Sequence, residues 1–136
     1  MQTQSTPAFD LVTLARNARE AVYNGLPPEL TFDMERHAGW PTLVCADGFS
    51  MSVQAGVRKF STPAVDGANH YSHVEVAHTT HCEALAPYGD EDEGIYQFVP
   101  VEVVEQLLKE HGGLDVTATI AYRARILGGN KRTLLS

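Results

Sequence analysis

The chain is poor in cysteine, tryptophan and cationic residues. It has two cysteines, Cys45 and Cys82, among 136 residues. Two are too few for a secreted disulfide framework, and with no CxxC pattern they suggest a reducing compartment. Each reads as a small buried hydrophobe. Ten Lys and Arg stand against 17 Asp and Glu, a formal charge of −7. That balance excludes a broad nucleic-acid surface, which needs a surplus of cations to meet phosphate. It leaves room for one small anion held by a few placed cations. No apolar run approaches the about 18 residues of a membrane span. Met1–Pro7 has neither the basic start nor the apolar core of a signal peptide. Neither phosphate loop, GxxxxGK or GxGxxG, is present, and the GxSxG elbow and the zinc motif HExxH are missing as well.

With 43% hydrophobic residues, the chain suits one domain over 1–136, flexible at 1–6 and 128–136. Thr6-Pro7 reads as a helix start, and Phe9, Leu11, Val12, Leu14, Ala15, Ala18, Ala21 and Val22 follow at helical spacing. Gly25 ends this helix and Pro27-Pro28 forbids its resumption. Leu30-Thr31-Phe32 reads as a short strand. Thr42–Ala46 and Ser50–Gly56 flank Asp47-Gly48, the signature of a β-hairpin. Residues 57–70 form a long loop. A third strand is expected over Tyr71–His78, with Val74, Val76 and His78 on one face and His73, Glu75 and Ala77 on the other. An acidic loop tip, Asp90-Glu91-Asp92-Glu93, precedes a fourth strand at Ile95–Val99. Pro100 opens a second helix with Val101, Val104, Leu107 and Leu108 inward, stopped by Gly112-Gly113. Val116, Ala118, Ile120, Tyr122, Ala124 and Ile126 alternate with polar residues, which predicts a final strand. The fold class is α+β: a mainly antiparallel β-sheet of four to five strands, an N-terminal helix and one helix near 100–111.

Three groups of residues could carry chemistry. His70, His73, His78 and His81, with Cys82, attract notice as metal ligands, but their spacing lacks a zinc pattern. Ser52 and Gln54 share one face of the second strand, and His73 and Glu75 share one face of the third. On neighbouring strands these four form a patch suited to the polar edges of a ligand. The bland reading is the wet face of a half-buried sheet. His73 with Glu75 also suits acid–base work. Arg58-Lys59 is a cationic pair able to meet phosphate, and Tyr71 lies close enough in sequence to stack on a ring. Arg123, Arg125, Lys131 and Arg132 make a second basic zone, able to neutralise the acidic tip in this or another chain.

The blocks GFSMSVQA (48–55), YSHVEV (71–76) and VPVEVVEQLLKEHGG (99–113), with Ser61-Thr62-Pro63, resemble a family of small, mostly uncharacterised bacteriophage accessory proteins over about residues 42–113. The chain departs from that pattern at Ala64, where the family tends to carry arginine. The resemblance implies work in the host bacterial cytoplasm against a defence system. The leading expectation is a non-enzymatic protein that sequesters an anionic, nucleotide-derived signal such as a cyclic nucleotide, without a cofactor. Its site would comprise Ser52, Gln54, Arg58, Lys59, Tyr71, His73 and Glu75. Two alternatives stand beside it. One is an acidic inhibitor of a host defence protein. The other is a small hydrolase using His73 and Glu75 or a histidine-bound metal. The apolar stripe of 9–22 and the strand at 114–126 offer more apolar surface than a small sheet covers, which predicts a homo-oligomer. No membrane partner is expected.

Overall fold

The computed structural model describes residues 10–31, 39–90 and 92–135, with side chains of the last helix described as far as Ile126. Helix α1 spans Leu11–Gly25. Its start differs from the expected Thr6-Pro7, which lies outside the described residues. Asp10 is the cap: its carboxylate accepts the Val12 N–H at 3.2 Å and the Thr13 hydroxyl at 2.7 Å. This satisfies an N–H that helix geometry leaves unpaired. Leu11, Val12, Ala15, Ala18 and Val22 are buried, as their spacing demands. The helix ends at Gly25 as expected. Residues 28–31 are helical again, however, so Leu30 and Thr31 are not in a strand. A proline is tolerated at the first position of a new helical turn, where its missing N–H costs nothing.

The hairpin forms at the expected place. Strands β1 (Leu43–Val44) and β2 (Ser50–Gln54) pair antiparallel, Leu43 opposite Met51, around Asp47-Gly48. Strand β3 (His73–Ala77) pairs with β2, Val53 opposite Val76 and Gln54 opposite Glu75. The loop before it is tied down internally. Asp66 accepts the Val57 N–H, and the Tyr71 hydroxyl donates to Val65 O and accepts from the Ala68 N–H. Beyond β3, His78 turns to positive φ and is exposed, while Ala77 is buried. The expected alternation therefore breaks at that end. The acidic loop contains a 3-10 helix, Glu83–Tyr88, and a short strand β4 (Gly89–Asp90). Strand β5 (Ile95–Pro100) lies between β3 and β4. The sheet is five-stranded and antiparallel, ordered β1-β2-β3-β5-β4. Helix α2 (Val101–Glu110) follows β5 directly and buries Val101, Val104, Leu107 and Leu108. It stops at Gly112 and Gly113, both at positive φ, a backbone state that glycine adopts without steric cost.

The expected last strand is instead helix α3 (Val116–Leu135). Asp115 starts it: its side chain accepts the Ala118 N–H at 2.9 Å and its carbonyl accepts the Thr119 N–H. The alternation of 116–126 misled because it is also compatible with a helix. Thr119 is buried, and Ile120 and Ala124, four apart, pack on Val22 and Leu26. The helix runs through Gly128-Gly129, so these glycines do not terminate it. Thr119 also closes the β1 edge of the sheet. Its hydroxyl accepts the Val44 N–H at 3.1 Å, and the Asp115 N–H donates to Val44 O at 2.8 Å. An exposed strand edge invites foreign pairing, and α3 occupies this one.

One face of the sheet, carrying Met51, Val53, Val74, Val76 and Val99, forms the core with Leu11, Val12, Ala18, Val104 and Leu108. Each large apolar side chain buried this way contributes about 1.5–3 kcal/mol. Leu11, Val12, Ala15, Ala18 and Val22 of the α1 stripe are thus covered within the chain, whereas Val116 and Ile126 of the segment expected as a strand stay exposed. Cys45 belongs to this core, and burial, with Asp47 nearby, pushes its thiol up to about 11. No helix among the described residues is long and apolar enough to cross a membrane.

Candidate functional site

The register brings the expected polar residues onto one face of β2 and β3, with Gln54 directly opposite Glu75. Their hydrogen bonds point to bracing. The Gln54 amide grips the Trp40 backbone: its oxygen accepts the Trp40 N–H at 3.0 Å and its nitrogen donates to Trp40 O at 2.7 Å. The same nitrogen donates to Ser52 Oγ at 3.2 Å. Gly39 makes this grip possible, because a Cβ there would lie 2.9 Å from the Gln54 oxygen. Glu75 accepts the Phe60 N–H at 3.3 Å, and His73 Nδ1 lies 2.7 Å from Ser72 Oγ. Arg58 and Lys59 are exposed on the turn that follows β2. Tyr71 is 2% exposed and its hydroxyl is committed to loop backbone, so it is a core residue and not a stacking platform.

A cleft of about 490 Å³ lies where α1 meets the loops at the Gln54 end of the sheet. Gln54 and Tyr71 line it; Ser52, Arg58, Lys59, His73 and Glu75 do not. Its cations are Arg16 and Arg19, three apart on the outer face of α1. Arg16 Nη2 donates to Ala68 O at 2.9 Å and Gly67 O at 3.3 Å, and Arg19 Nε donates to Gly39 O at 3.3 Å. Carbonyl acceptors hold the Arg16 guanidinium in place without neutralising it, and its remaining donors suit a carboxylate or phosphate. Trp40 is half-buried on the wall, set edge-to-face on Tyr71 with centroids 6.1 Å apart. Among the described residues, Asp66 is the one acid lining the cleft, and it is engaged by the Val57 N–H. A second hollow, of about 380 Å³, shares Arg16 and Arg19 and extends past Glu20 and Tyr23.

In the sequence Arg16 and Arg19 fall on the face of α1 opposite its apolar stripe. Their three-residue spacing shows that they are neighbours, but nothing local shows that two loops wall them in. Arg123 and Arg125 sit on α3, which packs at the β1 edge, whereas the acidic turn lies at the β4 edge. Among the described residues, no three His, Cys, Asp or Glu side chains gather as a metal site. Comparison with family models, with curated proteins and with solved structures found no match to this chain.

Proposed function

We propose that this chain is a binding protein without catalysis that captures a small anionic molecule bearing an aromatic ring, of the nucleotide class, in the α1 cleft. The observation that carries this reading is the convergence of Arg16, Arg19 and Trp40 on one cleft of about 490 Å³. That volume falls within the ordinary range for small-ligand sites. The Arg16 guanidinium, with Arg19 beside it, supplies charge-assisted hydrogen bonding to phosphate, and the indole supplies a surface for a base. The Gln54 grip holds Trp40 ready, which lowers the ordering cost on binding. The resemblance to phage accessory proteins supplies the setting: sequestration of a nucleotide-derived defence signal in the host bacterial cytoplasm.

Mass spectrometry of whatever the purified protein releases on heating identifies the captured molecule, and titration calorimetry with that molecule or a cyclic nucleotide measures its affinity. Recovery of an intact anion, with affinity reduced about a hundredfold in the folded Arg16→Ala/Arg19→Ala variant, supports the reading. Binding that ignores both arginines refutes it, and a ligand recovered hydrolysed points to turnover.

A further inference from the structure

The open face of the sheet carries an aromatic ledge that the cleft does not use. Phe60 and Phe98 are 39% and 46% exposed, with ring centroids 5.9 Å apart at 66°. Val57 and Ile95 are also exposed. Phe98 is held at φ +50°, where the β3–β5 register shifts opposite Glu75. That left-handed conformation is unfavourable for a bulky side chain. The neighbouring turn reinforces it: the Phe98 N–H donates to Phe60 O at 3.2 Å, and the Phe60 N–H donates to Glu75. The two rings still leave much of their apolar surface to water.

The register also sorts the charges along this face. The turn with exposed Arg58 and Lys59 follows Gln54, at the end where His73 pairs with Pro100. The exposed acids Asp90, Asp92 and Glu93 lie at the opposite end, where Asp90 pairs with Ile95 and Ile95 with Ala77. We propose that the ledge is a docking surface for a second copy of this chain, packed face to face. A twofold axis between the sheets and across the strands sets each basic end over the other's acidic end, with the four phenylalanines of the two copies between them. The aromatic pair supplies the anchor, and the opposed charges select the antiparallel arrangement.

Sedimentation of the full chain over a wide range of concentration tests this surface independently of the cleft. The expected result is a species of two chains, weakened by salt because its charged rim is solvated. Arg58→Glu with Lys59→Glu weakens it at least about tenfold, and adding Asp92→Lys with Glu93→Lys restores it. Phe98→Asn also weakens it at least about tenfold, while the melting temperature holds or rises because asparagine tolerates the left-handed backbone. A single-chain mass at every concentration overturns the proposal. So does a dimer that keeps its affinity in both the Phe98→Asn and the Arg58→Glu/Lys59→Glu variants.

Discussion

The α1 cleft and the open face of the sheet hold similar residue types put to different uses. On the open face, Ser52, His73 and Glu75 come from adjacent strands and lie side by side. They form a flat polar surface, and Glu75 braces a neighbouring turn. In the cleft, Arg16, Arg19, Trp40 and Gln54 come from a helix, a loop and a strand, and together they enclose a volume. Residue types suited to binding become a site where non-adjacent segments wall them in. On a flat sheet such donors and acceptors brace the nearest backbone, as Glu75 does with the Phe60 N–H.

Substitutions can break this contrast. The largest effect is expected from the two arginines, whose joint loss removes both cations among the described lining residues while touching no core residue. Gln54→Ala comes next. It frees the Trp40 backbone and is expected to cost about 1–2 kcal/mol of stability. Calorimetry should also show a roughly tenfold loss of affinity, because an indole that must be ordered on binding binds less tightly. His73→Ala and Glu75→Ala are expected to change ligand affinity less than about threefold, a difference well under 1.4 kcal/mol. A large loss in either would move the site onto the sheet face and erase the contrast.

The smallest effect lies outside both regions, at the hairpin turn. The Phe49 N–H and then His111, whose Nδ1 is 2.7 Å from Asp47 Oδ2, hold the Asp47 carboxyl below the usual carboxylate value. His111 also stacks on Phe49, with ring centroids 4.0 Å apart. A carboxyl depressed in the folded state adds stability above its unfolded pKa and loses it as pH falls through the folded one. Asp47→Asn is therefore expected to lower stability slightly at neutral pH and to match the wild type in strong acid. Denaturant unfolding across acid pH checks this, and leaves the cleft and the ledge intact.

Much of the fold was legible from local signals. Asp47-Gly48 between apolar runs marked the hairpin, and the spacing of Val101, Val104, Leu107 and Leu108 marked α2. The C-terminal segment was not legible by period alone, because Val116–Ile126 fits a strand by alternation and a helix by Thr119, Ile120 and Ala124. The deciding signal was the Asp115 cap, two residues after the Gly113 that stops α2. Of the expected site, the shared face of Ser52, Gln54, His73 and Glu75 was readable, because strand side chains alternate strictly. Arg58-Lys59 stood out as adjacent charges; they lie on an exposed turn, apart from the cleft that Arg16 and Arg19 line.

By itself the sequence determined an acidic α+β chain, the hairpin, and which side chains share a strand face. Each of these follows from backbone periodicity and turn chemistry within a few residues. Only the tertiary structure decided that 116–135 is a helix covering the β1 edge, that Gln54 clasps Trp40, and that Arg16 and Arg19 line a cleft. Those outcomes depend on which distant segments meet when the core closes. Concavity is a property of their arrangement in space, and no local pattern encodes it.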